Sequence, residues 1–191
     1  MKRILFIIMA FVAALNATAQ SADKLYSEGK AFYDAKNYAA ALPPLKAAAE
    51  KGHRKAQYRL GRCYDKGHGT KENDKLAFEW YLKAAAQDYA KAQYEVGKCY
   101  KNGEGVEKDR RKAVEWFAKA ARHDHAEAQL ALGKSYMKGK GIAADQKKAK
   151  SWLTKAVRNS KGGDEVLTEL RQEAAQGDED AKAILSLVGK Q

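Results

Sequence analysis

Nine residues of the stretch from Ala92 to Ala121 recur at a constant interval of 36 positions in both directions, with no insertion or deletion. Ala92, Gly97, Tyr100, Gly103, Gly105, Ala113, Trp116, Lys119 and Ala120 return at Ala56, Gly61, Tyr64, Gly67, Gly69, Ala77, Trp80, Lys83 and Ala84. They return again at Ala128, Gly133, Tyr136, Gly139, Gly141, Ala149, Trp152, Lys155 and Ala156. A fixed period of this size means supersecondary units that stack because none can bury its apolar face alone. The expected fold is therefore all-α, an α-solenoid of antiparallel helix pairs.

Within one period the first helix places Ala92, Val96, Cys99, Tyr100 and Gly103 on one face at helical spacing. Gly97 lacks a side chain where a second helix is expected to come close. Gly103 and Gly105 make the turn, since glycine takes positive φ cheaply at a helix end. Asn73, Asp109 and Asp145 recur at the same interval and offer side-chain oxygens to cap the second helix. That helix buries Ala113, Trp116, Phe117, Ala120 and Ala121. Arg110, Arg111, Glu115, Lys119 and Arg122 lie on its solvated side.

The flanks follow the period loosely. Gly29, Phe32, Ala41, Leu45 and Ala48 space out a related hairpin whose turn, Lys36-Asn37, is shorter. Pro43 and Pro44 disturb its second helix, because proline removes a hydrogen bond and clashes one turn back. Either that helix kinks there or it begins near Leu42. Beyond Val157 the period breaks at paired glycines, and helical patterns run from Glu165 to Gln176 and from Glu179 to Leu187. They are expected to cap the stack, with Glu169, Arg171, Glu173 and Lys182 facing water.

At the start, Lys2 and Arg3 precede an apolar run from Ile4 to Leu15 and the small-residue site Ala17-Thr18-Ala19. That order reads as a cleavable export signal cut after Ala19, and the run is too short for a membrane span, which needs about 20 residues. The expected location is periplasmic or secreted. Removal of Lys2 and Arg3 lowers the formal charge from +12 to +10. A basic chain in the cytoplasm would suggest nucleic acid; export points instead to peptides, acidic proteins or anionic wall polymers. The two cysteines, Cys63 and Cys99, are one repeat position seen twice. Equivalent side chains of stacked repeats point the same way, so two buried thiols are expected rather than a disulfide.

The pattern A-x-x-x-L/V-G-x-x-Y-x-x-G-x-G, followed by D-x-x-K-A-x-x-W-x-x-K-A-A, resembles the Sel-one-like repeat, the SEL subfamily of tetratricopeptide repeats, over residues 55–157. Departures are small: Thr70 stands where Val106 and Ile142 are aliphatic, Leu76 where Lys112 and Lys148 stand, and Val157 replaces an alanine. The resemblance implies a right-handed superhelix. It is divided into a signal at 1–19, a tetratricopeptide-like cap at 20–54, repeats at 55–90, 91–126 and 127–160, and capping helices at 161–191. It also implies a non-catalytic scaffold or adaptor that binds a protein or peptide on the concave face. Some cysteine-rich members act on β-lactams, but those look bridged within each repeat, and this chain has no second cysteine per repeat.

No phosphate loop, Ser-His-acid set or Cys-His set is placed by any pattern, and no catalytic residue or cofactor is expected. His123-Asp124-His125 sits in a link between repeats, where too few ligands converge for zinc, so a solvated connector is expected, as is an exposed His68. Trp80, Trp116 and Trp152 are expected to fill the seams between hairpins. One stripe remains, opposite the burial face of the first helices: Tyr26, Lys30 and Tyr33; Tyr58 and Arg62; Tyr94, Lys98 and Lys101; Leu130, Lys134 and Met137. In tetratricopeptide-like solenoids that face lines the concave groove. It is either an ordinary solvated face or a groove for an acidic peptide or a partner's helix.

The sequence thus favours an exported, monomeric adaptor with a protein or peptide partner, acidic in preference, and no nucleic acid or membrane span. A wall-polymer or glycan-binding module and a β-lactam-acting enzyme are the alternatives from other classes. Intact mass spectrometry of protein purified from the envelope should show a chain beginning at Gln20; a chain retaining Met1 would contradict the export signal.

Overall fold

The computed structural model describes residues 21–189, so the stretch expected to be an export signal, 1–19, lies outside the described residues. Ten helices follow one another there, and among the described residues there is no strand. The chain divides into two compact units, one ending at Gln87 and the other beginning at Asp88.

The first unit holds α1 (21–34), α2 (Tyr38–Glu50), α3 (Arg54–Lys66) and α4 (Asp74–Ala85). Its core joins Ala41, Leu45 and Ala48 of α2 to Ala56, Leu60 and Cys63 of α3, with Leu25, Tyr26, Tyr33 and Trp80 packed against them. Burial pushes the Cys63 thiol up to about 11, which makes it a small hydrophobe rather than a nucleophile. Both cysteines are buried and neither forms a disulfide. Helix α2 begins at Tyr38, capped by Asn37, and carries Pro43 and Pro44 inside it, so it does not start near Leu42. Phe32, expected at a packing position, is exposed.

The second unit holds α5 (Ala90–Asn102), α6 (Arg110–Arg122), α7 (Ala126–Lys138), α8 (Gln146–Val157), α9 (Gly163–Ala175) and α10 (Glu179–Gly189). Hairpins α5-α6 and α7-α8 pack within themselves and α6 packs on α7; α9 and α10 close over α8. One cluster joins Ala113, Phe117 and Ala120 to Ala128 and Leu132, with Trp152 against it. Another joins Leu130 and Leu153 to Val166, Leu170, Ala181 and Ile184 of the last two helices. Each tryptophan is half-buried beneath a lysine three residues on, at 3.8 Å for Trp80-Lys83 and Trp116-Lys119 and 4.5 Å for Trp152-Lys155.

The hairpins are drawn together at a glycine. A Cβ on Gly97 would lie 2.5 Å from the Phe117 ring, and the same position meets Tyr81 at Gly61 and Leu153 at Gly133. Asn73, Asp109 and Asp145 accept backbone N–H bonds at the starts of α4, α6 and α8. Tyr100 is only half-buried and Gly103 is exposed; the latter turns the chain at φ 87° instead of packing.

Three glutamines escape the reading of the sequence. Gln57, Gln93 and Gln129 are buried and stand one period apart. Gln57 and Gln129 donate to the Ala49 and Ala121 carbonyls at 3.2 Å and accept from Gln87 at 2.7 Å and Asn159 at 3.0 Å. They satisfy carbonyls left open at helix C-termini.

The links also differ from expectation. Asp88 and Asp124 take positive φ where the first unit has Gly52. His125 is no solvated connector: its side chain is 12% exposed and stacks on Tyr94 at 4.9 Å. His68 is packed rather than exposed, stacked on Tyr38 at 3.9 Å and bonded to the Tyr33 hydroxyl at 3.0 Å.

Gly97→Ala should cost about 1–3 kcal/mol by overpacking, read as a lower urea midpoint, and Phe117→Leu in that background should recover part of it. An unchanged midpoint would contradict the close approach. Burial lowers the His125 pKa, so between the unfolded value and the lower folded one the unfolded chain binds more protons and stability falls as pH falls. Unfolding free energy should therefore drop from pH 7 to pH 5, with a shallower drop in His125→Gln. His53 and His68 are depressed in the same way and keep the rest of the slope.

Candidate functional site

In the first unit the stripe is tied up by its own neighbours. Lys30 pairs with Asp34, which also meets Arg59 at 3.3 Å. Arg59, absent from the expected stripe, sits 5.0 Å over the Tyr33 ring and donates from Nε to the Tyr26 hydroxyl at 3.4 Å. Arg62 is half-buried, hydrogen-bonded with Tyr58 and close to Tyr33 and Tyr81. Tyr26 stacks on His53 at 4.2 Å. These five predicted residues form a satisfied aromatic and cationic layer.

The second unit is different. Tyr94, Lys101, Leu130 and Lys134 come together along an open groove of about 460 Å³. Lys98 and Met137 do not line it: Lys98 turns to Glu95 at 2.8 Å, and Met137 packs against the core under α9 and α10. Leu130 is buried to 8% exposure, because the last helices cover a face that the repeat pattern left to solvent. Ala113, Val114 and Phe117 from α6 and Ala131 from α7 complete an apolar floor. Glu169 and Glu173 of α9, expected to face water, line one wall, and Glu173 pairs with Lys134 at 3.3 Å.

At the other end stand Lys101, Lys108, Arg110 and Lys140, all exposed and none in an ion pair among the described residues. Arg110 belongs to this rim and not to an outer solvated face. It is brought there by the α7-α8 turn, since a Cβ on Gly141 would lie 2.2 Å from the Arg110 carbonyl oxygen. Lys138, beside them, pairs with Asp180. The Tyr94 hydroxyl is pushed up to about 12, chiefly by burial, so it stays protonated and able to donate.

Nothing in this groove assembles a nucleophile with a base, and no three potential metal ligands gather among the described residues. Its floor is closed, with Ala113, Val114, Phe117 and Leu130 each buried, and its rim carries fixed charge.

The Sel1 repeat profile matches residues 54–89, 90–125 and 126–160. The chain is similar to the crystal structure of a Sel1 repeat protein from Oxalobacter formigenes, with 31% identity, a TM-score of 0.69, and coverage of 84% of this chain and 74% of that one. It is also similar to c5321, a protective antigen of uropathogenic Escherichia coli strains with an SLR fold, at 26% identity and a TM-score of 0.73. That match covers 92% of this chain but 39% of the antigen. Cysteine rich protein B of Helicobacter pylori matches at 28% identity and a TM-score of 0.51, over 74% of this chain and 94% of that one. None of the curated proteins matches. Profile and structures agree on one architecture, an α-solenoid of paired helices, and the chain belongs to the Sel1 repeat family.

Proposed function

We propose that the chain is an exported adaptor that holds a protein or peptide partner in the groove of its second unit. One observation carries the reading: half-buried Tyr94 and Ala131 lie in a groove whose rim holds four cations, Lys101, Lys108, Arg110 and Lys140, that have no ion-pair partner among the described residues. Unpaired charge of one sign along a concave rim attracts and orients a partner that brings the opposite sign. Membership of the Sel1 family supports protein binding over catalysis, and the antigenic character of the Escherichia coli relative is in keeping with an exported location. No helix among the described residues is long and apolar enough to cross a membrane.

A photo-crosslinking residue placed at Ser135, on the groove, should trap a discrete adduct in the native envelope, and the same residue at exposed Lys147 on α8 should not. Tyr94→Ala should weaken binding of the trapped partner by at least about 30-fold, the size of a hot spot. Identical adducts from both positions, or none from Ser135, would contradict the groove as the contact surface.

A further inference from the structure

The groove is charged in an order, which a uniformly basic face would not be. Its cationic end is made by Lys101 at the C-terminal end of α5, Lys108 and Arg110 at the start of α6, and Lys140 just beyond α7. Its acidic end lies around Tyr94, where Glu127 and Glu169 line the groove and the nearby Lys98 is paired with Glu95 at 2.8 Å. Glu127 meets the His125 ring at 3.1 Å, and burial lowers the pKa of that ring, which disfavours an imidazolium beside the carboxylate. Glu169 is exposed and has no ion pair among the described residues.

Helix α7 carries both ends, with Glu127 in its first turn and Lys138 in its last. At 1.5 Å per residue the two stand about 16 Å apart, which an extended strand of about five residues spans. Between them lie Val114, Leu130 and Ala131, together with Lys134, whose charge is matched by Glu173 at 3.3 Å. An acidic peptide would meet attraction at one end and repulsion at the other.

We propose that the groove takes an extended segment of a partner protein whose basic side chains sit at Glu127 and Glu169, whose aliphatic side chains cover the floor, and whose acidic side chains sit at Lys101, Arg110 and Lys140. This rests on the groove being the contact surface, and it replaces a simply acidic partner with one of ordered charge. A partner reversed in sign at either end is rejected by like charge, which gives specificity more than affinity.

The test uses four acetylated, amidated peptides with one Leu-Ala centre and ends that differ: lysines at one and aspartates at the other, aspartates at both, lysines at both, or glutamines at both. Fluorescence polarisation with the full mature chain should rank the mixed-charge peptide at least about tenfold tighter than either single-sign peptide. The advantage should shrink as salt rises. Lys101→Glu with Arg110→Glu should shift the preference to the all-lysine peptide. Tightest binding by the all-aspartate peptide overturns the proposal, as does failure of all four to bind at about 1 mM. Equal binding of all four that Ser135→Trp abolishes overturns the charge order while leaving the groove as the contact surface.

Discussion

The structure depends on how closely two helices approach at one glycine per hairpin. Where Gly97 faces the Phe117 ring there is no room for a methyl group, and the same holds for Gly61 against Tyr81 and Gly133 against Leu153. A large side chain can press against backbone on the other helix only because the residue opposite has no Cβ, and native packing density follows from that fit. Everything else in the hairpin is placed by it. The alanines beside the contact bury completely, the paired glycines turn the chain at positive φ, and an Asn or Asp caps the returning helix.

Because the hairpins are nearly identical, what differs between copies carries the particular character of the chain. At the position of Gly61's partner stands Tyr81, whose hydroxyl reaches Asp65 at 3.3 Å, whereas the copies that follow have Phe117 and Leu153 and no such bond to make. In the first unit the stripe closes on itself through Arg59 and Arg62. In the second, α6 and α7 leave Val114 and Ala131 as a floor, and charge gathers where turns meet helix ends. Surface charges of this kind contribute little to folding; their effect lies in selecting and steering whatever approaches.

The local features were legible in the sequence. Period, glycine turns, capping Asn and Asp, the two buried thiols and the packing of Trp80 and Trp152 against the core all follow from residues a few positions apart or one period apart. Gln57, Gln93 and Gln129 share that spacing, but a glutamine on an apolar face has no local explanation, because the carbonyls that hold Gln57 and Gln129 belong to the preceding helix. His68 and His125 were misplaced for a different reason. Their stacking partners, Tyr38 and Tyr94, lie about 30 residues away, and nothing in a turn or a link announces that distance. The acidic wall was hidden for the same cause, because Glu169 and Glu173 sit past the point where the period stops, and only the fold of α9 brings them beside α7. Leu130 and Met137 follow from this too: a face that is open in an endless repeat is covered when the last helices close over it.

The most direct measurement is a titration of the isotopically labelled mature chain with the mixed-charge peptide, followed through backbone amide shifts. The account predicts that the perturbed amides are those of Tyr94, Lys101, Arg110, Val114, Leu130 and Glu169, on four helices that all contribute to the groove lining. Shifts that gather instead around Trp80, Trp116 and Trp152 would place the contact surface on the second helices of the hairpins and contradict it.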